Sequence, residues 1–335
     1  MSSANDVVAF EQPGAGHWWD ASPEPGVDCV DWAPMFDLFA RHRLPAEVRT
    51  IDFKTANPGA SSRCYWLRVI TQLEPLAMSS VHARCEPGQR QFAITTENIA
   101  QLSIDPAPML TPGAAKVVID GDAIETSLAD RGVISLERES GHWRVAVAPA
   151  RGKRPERYGP FKQVFQNRPL LVYGTHGSSD ENAWALAKAR FDAETFWYRG
   201  NGTLELMADS RFDPAREPNR NVILYGNSAT NAAWAALLDR SPVQVRPGEV
   251  QVGQQHHRGQ DLACLEVRPR PDSEIALVGA VAGSGVAGMR LADRLAYFTS
   301  GVGYPDWLVL SSRSLEGATD GLVALGIFGP DWSLR

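Results

Sequence analysis

A chain of 335 residues, 44% hydrophobic and 21% charged, is long enough for two or three domains, and its composition is that of an ordinary soluble globular protein. Its 33 Lys and Arg against 39 Asp and Glu leave a net charge of −6, which excludes the basic footprint of a nucleic-acid binder. No apolar run of about 18 residues occurs, so no membrane span is expected. The N-terminus lacks the basic and apolar regions of a signal peptide, which makes a cytoplasmic location the default. Cys29, Cys64, Cys85 and Cys264 are scattered, without the spacing of a disulfide framework or a metal site, as suits a reduced compartment.

Residues 1–45 hold a short apolar run from Val7 to Phe10, a Gly- and Trp-rich stretch from Gly14 to Trp19, and a closing helix. In that helix Met35, Leu38 and Phe39 follow helical spacing and Pro34 sits in the first turn. A segment this small needs a partner surface to fold. Residues 46–150 read as a β-sandwich. Strands are expected at Val48–Phe53, Tyr65–Ile70, Ser80–Arg84, Gln91–Thr95, Lys116–Ile119, Val133–Leu136 and Trp143–Val147. Asp120-Gly121 is the strongest hairpin signal, and Glu139-Ser140-Gly141 is a second. Residues 151–168, which contain the basic run Arg151-Gly-Lys153-Arg154-Pro-Glu-Arg157, are expected to form a solvated linker.

Residues 169–335 alternate strand and helix. Strands are expected at Pro169–Tyr173, Asn221–Tyr225, Leu262–Val267, Ile275–Val281 and Trp307–Leu310. Helices are expected over Asp180–Arg199, capped within Ser178–Asp180, and over Thr230–Leu238 and Met289–Phe298. Such alternation predicts an α/β sandwich with a largely parallel sheet.

Five places could carry chemistry. His17, in Gly14-Ala-Gly16-His17-Trp18-Trp19-Asp20, lies on a Gly-rich loop after an apolar run, where a neutral imidazole can serve a serine hydroxyl as general base. A structural histidine in an aromatic loop is the competing reading. Ser228, in Gly226-Asn-Ser228-Ala-Thr230, has the strand-to-helix setting of a nucleophile elbow. Thr230 stands where the elbow needs glycine, however, and only Asp239, His256 and His257 follow within about thirty residues, so an N-cap role is the better expectation. Gly283-Ser-Gly285-Val-Ala-Gly288 matches the dinucleotide fingerprint, and Ser311-Ser-Arg313 would suit a 2′-phosphate; helix-on-sheet packing explains the same glycines. His176, in Tyr173-Gly-Thr-His176-Gly-Ser-Ser179, ends a parallel strand beside Asp180 and a helix N-terminus, a small-anion cleft or a plain solvent-facing loop. His256-His257 lacks acids or thiols at ligand spacing, so no metal is expected.

Gly16-His-Trp-Trp19 followed by Asp28-Cys-Val-Asp-Trp-Ala-Pro-Met-Phe36 resembles the histidine loop and last helix of the catalytic α/β-hydrolase domain in bacterial prolyl oligopeptidase family proteins. Thr95-Thr-Glu-Asn98, Gly159-Pro-Phe-Lys-Gln-Val-Phe165, Leu171-Val-Tyr-Gly-Thr175, Asn221-Val-Ile-Leu-Tyr-Gly226 and Gly288-Met-Arg-Leu-Ala-Asp-Arg294 resemble later motifs of that branch, in order. The resemblance implies that residues 1–45 are the C-terminal remnant of an α/β-hydrolase domain and that His17 is the triad histidine. In that fold serine and acid precede the histidine. Upstream of His17 there is no G-x-S-x-G, only Ser2, Ser3 and Asp6. The implied protein is therefore the C-terminal portion of a prolyl-oligopeptidase-like serine hydrolase, a peptidase or esterase that lacks its nucleophile and is not catalytically complete alone. Its implied partner is a missing or separate hydrolase domain, and no cofactor is expected. An NAD(P)-binding oxidoreductase using Gly283–Gly288 and a non-catalytic binding or docking module are the alternatives.

Overall fold

The computed structural model describes residues 11, 13–16, 30, 32–43, 45, 47–109, 111, 113–128, 132–146, 152–317 and 320–335. His17 lies outside the described residues. The chain divides into two compact units, Met1–Val48 and Arg49–Arg335. In the first, the expected helix forms as α1 (Ala33–Arg41), with Pro34 in its first turn, where a backbone N–H would find no intrahelical partner anyway. No residue of α1 is buried, and Phe36 and Phe39 meet edge to face at 6.4 Å while both remain exposed.

Period-two patterning builds the β-rich part of the second unit. In β4 (Ser79–Glu86), Val81, Ala83 and Cys85 point inward and the residues between them outward. β4 lies between β1 (Thr50–Thr55) and β5 (Gln91–Glu97), and β7 (Gly113–Ile119) and β8 (Asp122–Leu128) complete a five-stranded sheet in the order β1-β4-β5-β7-β8. A second sheet has the order β10-β9-β6-β3-β2, from β2 (Arg63–Cys64), β3 (Leu67–Gln72), β6 (Ile99–Ile104), β9 (Ile134–Glu139) and β10 (His142–Val145). Both expected hairpin turns form. Asp120 and Gly121, and likewise Ser140 and Gly141, all have positive φ, as a type I′ turn requires. The Asp120 carboxylate then joins the sheets: it accepts from Thr96 N at 2.7 Å in one and from Trp143 Nε1 at 2.8 Å in the other.

The α/β part departs from expectation in its sheet. Seven strands run in the order β12-β11-β13-β18-β17-β19-β20. The first four, β12 (Glu205–Ala208), β11 (Leu170–Tyr173), β13 (Val222–Tyr225) and β18 (Leu277–Gly283), are mutually parallel. The last three, β17 (Ala263–Pro269), β19 (Trp307–Leu310) and β20 (Leu322–Gly326), join antiparallel. The sheet is therefore mixed, not largely parallel. The physical reason is loop length: residues 270–276 between β17 and β18 are too few for the dozen-residue crossover that a parallel pair needs. A small three-stranded sheet, β14 (Val243–Arg246), β15 (Glu249–Val252) and β16 (Gln255–Arg258), was not anticipated, because its polar Gln and His positions mask the alternation.

Helix α2 (Ser179–Gly200) forms as expected, with Trp184, Ala185 and Ala189 buried. The two later helices are shorter than expected: α3 (Trp234–Leu237) has one turn and α4 (Val286–Ala292) two.

The expected solvated linker is instead a buried tie. Lys153 is 1% exposed and its Nζ lies 2.5 Å from Asp306 Oδ2 and 4.6 Å from the Trp332 ring. Arg157 Nη1 donates to Ser273 O at 2.7 Å, and Tyr158 and Phe161 are wholly buried. Charge alone suggested solvent, but these cations have a buried carboxylate and carbonyls to bind. The same segment holds the β-rich strands: Thr71 Oγ1 donates to Lys153 O at 3.1 Å, and Arg68 pairs with Glu156 at 2.5 Å.

Candidate functional site

The order β12-β11-β13 means that the chain leaves β11 first to one side and then to the other. In open α/β sheets the crevice at such a reversal, outside the carboxyl ends of the strands, is where ligands bind. Three loops meet there. Residues 174–178 follow β11, Asp209 follows β12, and residues 226–231 follow β13. The first and third are in contact: Gly174 N donates to Tyr225 O at 3.0 Å and His176 N to Thr230 O at 3.1 Å. At Gly174 a Cβ would stand 2.3 Å from Thr230 O, so only glycine permits this approach.

His176 and Asp209 form the chemical centre of the crevice. The Asp209 side chain is wholly buried, whereas that of His176 is 53% exposed. Asp209 Oδ2 lies 3.0 Å from His176 Nδ1 and accepts Ala232 N at 2.7 Å; Oδ1 accepts Thr175 Oγ1 at 2.5 Å. Burial acts to raise the Asp209 pKa, but the hydrogen bonds from Thr175, Ala232 and His176 outweigh it and hold the carboxyl below its ordinary value. An ionised carboxylate behind Nδ1 fixes that nitrogen as the N–H donor, so a neutral ring presents the Nε2 lone pair to solvent. Such an imidazole can accept a proton or hold a donor group.

A nucleophile for it is not assembled. Among the described residues no serine, threonine or cysteine side chain is hydrogen-bonded to His176 Nε2. Ser228, on the adjoining loop, binds through its backbone, its N donating to Val245 O at 3.0 Å. Nor is Ser228 the expected N-cap. Asn227 Oδ1 accepts Ala229 N and Thr230 N, and Asn231 Nδ2 donates to Val172 O and Tyr225 O. Thr230 O, which would accept Trp234 N in a longer helix, instead accepts His176 N at 3.1 Å, and α3 starts only at Trp234. The two buried thiols offer no substitute. Burial pushes the Cys85 pKa up to about 11 and raises that of Cys264 well above its ordinary value.

The anion cleft expected at the α2 N-terminus is filled by the chain itself. Ser178 caps the helix, and the Glu181 carboxylate accepts Ser178 N at 2.8 Å in a capping box. Asp180 takes no part. The glycine-rich stretch Gly283–Gly288 is equally occupied: a Cβ at Gly283 would lie 2.2 Å from Met289 N, and one at Gly288 2.1 Å from Leu262 O. These glycines let α4 pack on its own sheet. His256 pairs with Glu249 at 2.5 Å, and His257 Nε2 is buried without a hydrogen-bond partner.

Asp209 was not anticipated. Its signal was positional: an acid directly after the short apolar run Leu204-Glu-Leu-Met-Ala, in the same relation to β12 as Gly174-Thr-His176 to β11. No described helix is long and apolar enough to cross a membrane. Compared with known proteins, the chain matches no family model and no curated protein.

Proposed function

We propose that this chain is the C-terminal portion of a prolyl-oligopeptidase-like serine hydrolase, not catalytically complete alone, whose unit Arg49–Arg335 is a non-catalytic binding module. In this reading residues 1–45 are the α/β-hydrolase remnant, His17 is its triad histidine, and the paired five-stranded sheets are a β-sandwich domain. The observation that carries the proposal is the unaccompanied His176 ring. A buried carboxylate orients it, yet no hydroxyl or thiol among the described residues is bonded to the nitrogen that would activate a nucleophile. Five motifs in family order support the family reading.

A fluorophosphonate probe tests it. The purified chain is expected to resist stoichiometric labelling and to show no esterase turnover above buffer. One probe per chain, located at Ser228 by mass spectrometry, would overturn the proposal.

A further inference from the structure

β12 and β13 are parallel neighbours of β11, and the connection between them, residues 209–221, contains no α-helix. A parallel crossover ordinarily lays a helix on the sheet. Here coil leaves a cavity of about 680 Å³, floored by Leu170, Met207 and Val222 at the strands' edge.

Two buried arginines hold its frame. Arg270 Nη1 donates to Glu217 O at 2.9 Å and Arg220 O at 2.7 Å, and its Nη2 to Pro214 O at 3.0 Å, which pins the crossover. Arg220 Nε donates to Arg168 O at 2.6 Å, and its Nη1 binds Glu205 at 2.7 Å and Glu217 at 2.9 Å. Glu205 and Glu217 thus share the one Arg220 guanidinium, and the Glu217 carboxyl is held below its ordinary pKa, first by Arg220 and at longer range by Arg168 and Arg216. Asp213 accepts Ala215 N in its own turn.

Three further arginines on the lining, Arg168, Arg211 and Arg216, are exposed and form no ion pair with a carboxylate among the described residues. The lining thus carries five arginines against Glu205, Asp213 and Glu217, and Arg270 also chelates Asp272 just outside it, which leaves one positive charge in surplus in a chain whose net charge is −6. Guanidinium forks match the paired oxygens of phosphate and carboxylate, and the apolar floor suits a compact carbon body.

We propose that this cavity binds a small polyanion, a phosphate ester or a polycarboxylate. Isothermal titration of the full chain at low ionic strength, with pyrophosphate in one arm and citrate in the other, tests it. Saturable one-to-one binding is expected in at least one arm, weakened about tenfold or more in the double variant Arg211→Ala/Arg216→Ala. Both side chains are exposed, so the double variant should keep its Tm, and Arg313→Ala, remote from the cavity, should bind as the parent does. Binding of pyrophosphate alone identifies a phosphate ester, and of citrate alone a polycarboxylate. No saturable binding in either arm, or binding that the double variant leaves unchanged, overturns the proposal. Neither result bears on whether a serine is labelled.

Discussion

Glu266, on β17, is wholly buried. Ser241 Oγ donates to its Oε2 at 2.6 Å, and its Oε1 has no hydrogen-bond partner. Burial pushes its pKa from the ordinary 4.5 to about 8, against weaker opposing effects of Ser241 and Arg268. The folded protein therefore keeps this proton where the unfolded chain has lost it. Stability should fall as pH rises from about 4.5 to about 8 and level off above. Glu266→Gln is expected to flatten that fall, read as Tm against pH; an unchanged slope would refute the assignment. Asp209 acts in the opposite direction, because its lowered pKa makes its contribution one that is lost as pH drops into the acid range. Asp209→Ala leaves Thr175 Oγ1 and Ala232 N without their acceptor and should cost about 2–4 kcal/mol in urea unfolding. NMR of the His176 ring should also show loss of the fixed tautomer in that variant.

Among the elements, α2 carries the clearest local instruction. Ser178 and Glu181 stand three residues apart before an amphipathic run, and the capping box forms. Ser178→Ala should lower stability by about 1 kcal/mol. The shortened α3 shows where such local reading fails. Thr230 to Leu238 has acceptable helical composition, but Thr230 O is taken by His176 N and Asn231 Nδ2 reaches Val172 O and Tyr225 O, and what results is a clasp between the β11 and β13 loops. The motifs that carry the family resemblance act in the same structural way. Asn98, at φ 56°, turns β5 into β6 and binds Glu74 in both directions, with Nδ2 on its carbonyl at 3.0 Å and Oδ1 accepting its N–H at 2.7 Å. Asn221 Nδ2 donates to Gln166 O at 2.8 Å while its Oδ1 accepts Leu277 N at 2.7 Å, which clips the Phe161–Phe165 turn to β18. Such residues are legible as motifs because their geometry admits few substitutes, but a motif alone does not say whether it folds the chain or reacts.

At the scale of the molecule, the segment read as a linker decides how the unit Arg49–Arg335 behaves. Lys153 and Asp306 pair inside it, Tyr158 OH bonds Gln72 and accepts Leu76 N, and Arg68 reaches Glu156. These contacts couple the β-rich sheets to the mixed sheet. The unit is therefore expected to unfold in one transition, coincident by tryptophan fluorescence and far-UV circular dichroism; two separated transitions would show that the tie is weak. Asp306→Ala strands a buried ammonium and should cost about 3–5 kcal/mol, and it should destabilise both parts together.

What the sequence determined by itself was local: the strand periodicities, the two Gly-containing hairpin turns, the α2 cap, and the succession of a β-rich segment by an α/β one. Each depends on neighbours a few residues apart, whose spacing is written in the chain. Only the tertiary structure decided that the sheet is half antiparallel, that Lys153 and Arg157 are buried, that Asp209 stands behind His176, and that five arginines line one cavity. Those facts depend on groups tens to hundreds of residues apart. Their energies are set by burial and by the partner that the fold delivers, and neither can be read from spacing.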